Sequence, residues 1–190
     1  MLEARSDAPT TTLAEPLIAW RVWTLAGSRD GHDVRLLPIA GDGKPWPPRR
    51  PAGATCARHR AHEVPDLGCA CGLHAVPGPD ALRRTKDPAV LGTVALWGRA
   101  VEHEAGWRAA FGYPQRLRLV CYLCFSLWGT HFPSGCRVVV RHRGGRMVPL
   151  CEPHLDLSRR YGYRIPRSLP AEAVESSLLS TYAVDLLRTL

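Results

Sequence analysis

Residues 147–155 read MVPLCEPHL. Cys151 and His154 stand three residues apart, directly after a strand-like run. Pro153 near a helix start and Gly162 at its end predict a short helix over 152–161. Two residues at that spacing can both reach one ion, and a tetrahedral zinc then needs two more soft or borderline donors. Upstream, Cys121-Tyr-Leu-Cys124 has the same spacing. Between the pairs, RVVVRH (137–142) reads as a strand, Gly144-Gly145 as a two-residue hairpin turn and RMVPL (146–150) as the return strand. Pro149 cannot donate to a ladder, which suggests that the return strand lies at an edge. One pair on a turn and the other on a helix's first turn would close a tetrahedron around the hairpin. The competing reading makes LVCYLCFSL (119–127) a buried strand with free cysteines.

This order of pair, hairpin, pair and helix resembles the treble-clef zinc finger over residues 121–162. The resemblance implies a structural metal held by Cys121, Cys124, Cys151 and His154. Cys136 departs from the simplest pattern. It either replaces Cys124 as a ligand or fills a small core position, and we read it as core.

A second cluster lies in CARHRAHEVPDLGCACGLHA (56–75), which offers Cys56, His59, His62, Cys69, Cys71 and His74 for four places. Cys69 and Cys71 form a tight pair in a Gly-containing turn, and Cys56 is the natural third ligand. His59 and His62 compete for the fourth place. His62 is preferred because Pro65 helps turn the chain back toward Cys69. Two zinc ions per chain are therefore expected.

Cysteine chemistry depends on compartment. The start, MLEARSDAPTTT, has neither the basic start nor the apolar core of a signal peptide. The longest apolar run, Leu119 to Trp128, is about half of the roughly 20 residues a membrane span needs. The expectation is a cytoplasmic protein with no membrane association, where clustered Cys and His indicate metal more than disulfides. With 45% hydrophobic and 22% charged residues over 190 positions, a buried core is expected.

Along the chain, residues 1–16 read as a disordered start. LIAWRVWTLAG (17–27) reads as a strand with Trp20 and Trp23 packing, and the proline-broken stretch 37–54 as loop. Residues 90–113 read as two strands turning near Glu104-Ala105-Gly106, with a helix as the competing reading for part of the stretch because Ala is frequent there. WRVW, CACGLHA and VALWGRAVEHEAGWRAAFGYPQRL together resemble a family of uncharacterised proteins from high-GC bacteria, over residues 17–118. That resemblance implies one folded module and contributes no catalytic residue. Ser168 as cap and Pro170 in the first turn predict a last helix over 170–189, with Val174, Leu178, Tyr182 and Leu186 on one stripe. The fold class expected is α+β and rich in short strands. It comprises a zinc-stabilised module at 17–118, a treble-clef-like segment at 119–166 and an amphipathic helix within 167–190.

Enzyme signatures are sparse. In a strand, Glu102 and Glu104 share one face while His103 points to the other, which splits that acid/base candidate group. HEAGW lacks the second histidine of the metalloprotease helix motif. His142 sits near the strand histidine of some treble-clef nucleases, but Arg141 and Arg143 flank it in place of catalytic neighbours.

The net charge is +8, and Lys44 and Lys86 are the only lysines among 25 basic residues. Arginine bias of that kind accompanies a GC-rich genome, so the location of the charge is more informative than its total. Eight arginines between Arg137 and Arg167 face only Glu152 and Asp156, with Tyr161 and Tyr163 interleaved. Such a run suits phosphate contact and base stacking. We therefore read a non-catalytic zinc protein that engages nucleic acid through Arg141, Arg143, Arg146, Arg159, Arg160 and Arg164. The alternative is an adaptor docking a protein partner through residues 170–189. A third reading is a metal-dependent hydrolase at the 56–74 cluster.

Overall fold

The structure, a computed structural model, describes residues 10–40, 43–58, 62–129, 135–142, 144–162, 165 and 168–188. It is mostly β. The strands are β1 (Thr10–Gly27), β2 (Val34–Pro38), β3 (Ala52–Gly53), β4 (Leu73–Ala75), β5 (Val90–His103) and β6 (Gly106–Leu119), then β7 (Val138–Arg141), β8 (Arg146–Leu150), β9 (Ser168–Pro170) and β10 (Asp185–Leu186). Three helices intervene: α1 (Tyr122–Trp128) after β6, α2 (Glu152–Arg160) after β8 and α3 (Ala171–Tyr182) after β9.

The expectation of short strands does not hold for the central three. β1 runs 18 residues, and β5 and β6 run 14 each. β1 also starts at Thr10, inside the stretch expected to be disordered; residues 1–9 lie outside the described set. Length on this scale is tolerated because the ladders slip at Leu13/Leu17, Thr93/Val94 and Trp97/Ala100. Such irregularities bend a strand and increase its twist. The turn between β5 and β6 falls at Glu104-Ala105, and Gly106 is obligatory there. Its φ is +133°, and a Cβ would sit 2.2 Å from the Ala75 carbonyl oxygen.

All ten strands belong to one sheet with the order β10-β6-β5-β1-β8-β7-β9. β2 adds to β1, while β3 and β4 add to β6. β5 covers one edge of β1 as far as Trp23, and β8 takes over with Leu25↔Met147 and Ala26↔Arg146. The β7–β8 hairpin is thus joined to the same sheet as the preceding module. Pro149 lies beyond the two-residue overlap with β1, so its missing N–H removes no bond on that side. β7 ends at Arg141 and β8 begins at Arg146, so His142, expected on the strand, lies beyond its end and donates its N–H to the Arg146 carbonyl.

Both faces of β1 are covered. Trp23 and Leu25 face a core shared with Leu36, Leu96, Leu117, Val174, Leu178 and Tyr182. Val22 faces a second core of Leu91, Val120, Phe125, Leu150 and Leu155, which also contains Cys121, Cys124 and Cys151. Trp46, in the proline-rich loop, is 3% exposed and meets Trp23 edge-on at 5.4 Å. That contact docks a segment that periodicity alone reads as unstructured loop.

The C-terminal helix is shorter than expected. Ser168–Pro170 form β9 rather than a cap and first turn, and Ala183 ends α3 in the left-handed region. Val174, Leu178 and Tyr182 are buried against the protein's own sheet, while Leu186 lies exposed on β10. Three of the four residues on the expected stripe, within the segment assigned to partner docking, are therefore occupied within the chain. Among the described residues no helix is long and apolar enough to cross a membrane.

Candidate metal centres

The two donor pairs of the hairpin cluster are held in nearly the same way. Cys121 immediately precedes α1 and Cys124 lies in its first turn; Cys151 immediately precedes α2 and His154 lies in its first turn. Helical winding brings residues three apart back over one another, so each pair points at a common place. The expected turn at Cys121–Cys124 is thus the start of a helix, neither an open turn nor a strand.

The four ligand atoms converge. Cys124 Sγ lies 3.4 Å from Cys151 Sγ, and His154 Nδ1 lies 3.4, 3.3 and 3.1 Å from the sulfurs of Cys121, Cys124 and Cys151. A tetrahedron with zinc–sulfur and zinc–nitrogen arms of about 2.3 and 2.0 Å has edges of about 3.5–3.8 Å. The observed edges are a few tenths of an ångström shorter, which suits a small tetrahedral ion. All three cysteines are buried, with exposures of 1%, 3% and 0% for Cys121, Cys124 and Cys151.

The electrostatics of this site keep its thiols protonated in the absence of a cation. Burial pushes the Cys121 and Cys124 thiols upward, and neighbouring sulfurs push the same way. The backbone N–H groups of Cys124 and Cys151 oppose this at Cys121 by donating to its sulfur. Without a metal the pocket favours neutral thiols; a bound cation converts them to thiolates and releases protons.

The loop cluster gathers Cys56, His62, Cys69 and Cys71, whose ligand atoms lie within 4.8 Å of one another. Cys56 Sγ is 3.7 Å from Cys69 Sγ, and His62 Nε2 is 3.3 Å from Cys71 Sγ. His59 lies outside the described residues. His74 turns Nε2 to the carbonyl of Ala70 at 2.9 Å and stands apart from the four. Cys136 joins neither group; it is half-buried and packs against both cores.

Arg108 organises this loop, a role the sequence reading missed. From β6 its Nη1 donates to the carbonyls of Asp66 and Cys71 at 3.1 Å and also to that of Cys69. It is 8% exposed. Arg99 on β5 adds a bond from Nε to the Pro65 carbonyl at 2.9 Å and an ion pair with Glu63. The only signal in the sequence is that β-strand arginines face a cysteine-rich loop, and pairing across the sheet is needed to see it. Arg108→Met is expected to weaken metal binding at the loop cluster by about 10–100-fold, the usual cost of losing an outer-shell partner. Chelator competition, with the hairpin cluster as internal reference, measures it. Equal release from both clusters would instead indicate general unfolding.

Each cluster offers four protein donors, so each can hold one metal ion, for which zinc is the natural match. A zinc ion bound by all four donors of a cluster would have no position for a reacting water, unlike the ion of a catalytic site.

The other candidate residues form no single cluster among the described residues. Glu102 and Glu104 are exposed at the hairpin end, and His103 Nδ1 accepts the N–H of Ala105 at 3.3 Å. Of the six arginines, Arg141 donates Nε to the Gly27 carbonyl at 3.4 Å, Arg146 pairs with Asp87 at 2.7 Å and Arg159 pairs with Asp156 at 3.4 Å. Arg160 is exposed beside Tyr161, which is 74% exposed. Arg143 and Arg164 lie outside the described residues. No protein-family model, curated protein or solved structure matches the chain.

Proposed function

We propose that this is a non-catalytic protein with two structural zinc ions, which engages nucleic acid through the end of its zinc segment at 121–162. In this reading residues 121–162 form a treble-clef-like unit, with the metal fixing α2 onto the β7–β8 hairpin. The observation that supports it is the run Arg159-Arg160-Tyr161, exposed at the end of the helix whose first turn carries Cys151 and His154. Arg159 and Arg160 also complement the α2 dipole, so their position serves the helix as well as a ligand. The ion pairs of Arg146 and Arg159 are surface pairs worth little, and a phosphate can displace their carboxylates.

Binding is expected to be weak and largely indifferent to sequence, because phosphate contacts carry no base information. If about four arginines meet phosphates together, the log–log salt slope on duplex DNA is roughly −3 to −4. Arg159→Ala with Arg160→Ala should reduce that slope by up to about two, with zinc content unchanged. No binding to single- or double-stranded DNA or RNA at low salt would defeat the nucleic-acid part. The metal part is tested separately by elemental analysis.

A further inference from the structure

Arg21 is a half-buried cation with no carboxylate partner among the described residues. It projects from β1 between two indoles, its guanidinium carbon 5.9 Å from the Trp23 ring centre and 5.1 Å from that of Trp46. Its Nη1 donates to the His74 carbonyl, and its buried Nε has no hydrogen-bond partner. Burial alone draws its pKa down to about 10, with no carboxylate acting in the other direction. The indole faces orient the side chain but supply no anion. A cation held partly out of water, with its Nε buried and unsatisfied, is costly unless something pairs with it.

The guanidinium lines a cavity of about 550 Å³ between β1, the Trp46 loop and β4. Val22, Trp46, Leu73 and Leu82 supply apolar wall, and no Asp or Glu is among the described lining residues. The size and the mix of apolar wall with a few polar groups are those of a small-molecule site. We propose that this cavity binds a small organic carboxylate, with its single negative charge against Arg21 and its apolar body against Trp46 and Leu73. One guanidinium matches a monoanion, whereas a phosphate dianion would call for more donors than this apolar wall provides. The site is separate from the nucleic-acid reading, although Thr55 and Gly72 in its wall adjoin Cys56 and Cys71 of the loop cluster.

Hexanoate, hexylamine and inorganic phosphate are the probes, titrated into the zinc-loaded full chain and followed by tryptophan fluorescence and thermal melting. Hexanoate should give a saturable change and raise the melting temperature by at least about 2 °C, while hexylamine and phosphate should not. Arg21→Met should weaken hexanoate at least about tenfold with zinc content unchanged. Thr85→Trp, which fills the cavity and leaves Arg21 in place, should weaken it similarly and keeps the test decisive if the Arg21 variant does not fold. Equal binding of hexanoate and hexylamine, binding of phosphate in place of hexanoate, no binding at all, or undiminished hexanoate affinity in Thr85→Trp would each overturn the proposal.

Discussion

Cys151→Ser is expected to lower the zinc content from two ions per chain to one and to unfold the segment from α1 through α2. Cys151 is completely buried, and its sulfur lies 3.4 Å from that of Cys124 and 3.1 Å from His154 Nδ1. A serine hydroxyl cannot replace a thiolate as a soft ligand at neutral pH. Structural zinc contributes about 10–16 kcal/mol of binding free energy in small fingers, as much as a whole domain's stability. The second core is built around these cysteines, so loss of the ion leaves Phe125, Leu150 and Leu155 packed about an empty, polar centre. Elemental analysis and proteolysis within residues 120–162 report the two effects. Cys136→Ser is the comparator. That half-buried side chain is outside the four-atom group, so the substitution should cost about 1–3 kcal/mol for the buried hydroxyl and leave both ions in place. Equal zinc loss in the two variants would mean that Cys136 is a ligand. Acid acts in the same direction as Cys151→Ser. Because burial raises the thiol pKa values, protons compete strongly for these sulfurs, and retention of zinc should fall as pH falls.

Tyr182→Phe is expected to destabilise the protein by about 2–5 kcal/mol, because it leaves two buried backbone groups unpaired. The Tyr182 hydroxyl accepts the Leu36 N–H at 3.0 Å and donates to the Trp46 carbonyl at 2.8 Å. One oxygen thus ties α3 to β2 and to the proline-rich loop, in a place with no solvent access. Urea denaturation with an unchanged m-value is the measurement. A cost below about 1 kcal/mol would show that water reaches this oxygen. The variant also has a pH signature. Burial raises the Tyr182 pKa to about 12, so the folded state keeps the proton when an unfolded tyrosine, near 10, loses it. The contribution is therefore complete below about pH 10 and lost as pH rises through about 12. Tyr182→Phe should lack that component of the alkaline decline.

Spacing alone identified the pairs Cys121/Cys124 and Cys151/His154, the hairpin between them, the short helix after Cys151 and the turn at Glu104-Ala105. Each depends on covalent geometry over a few residues: a helical turn superposes positions three apart, and glycines permit tight reversal. Which four of six donors in the 56–74 stretch converge depends on how the loop lies on β5 and β6. Arg99 and Arg108 set that placement at sequence separations of 34 to 42. The length of β1, the docking of Trp46, the inward face of α3 and the parallel pairing of β10 with β6 were likewise decided only in the tertiary structure. An apolar helix stripe is the same whether it meets a partner or its own sheet. The choice is made by the summed burial available across the folded chain, and no local window contains that sum.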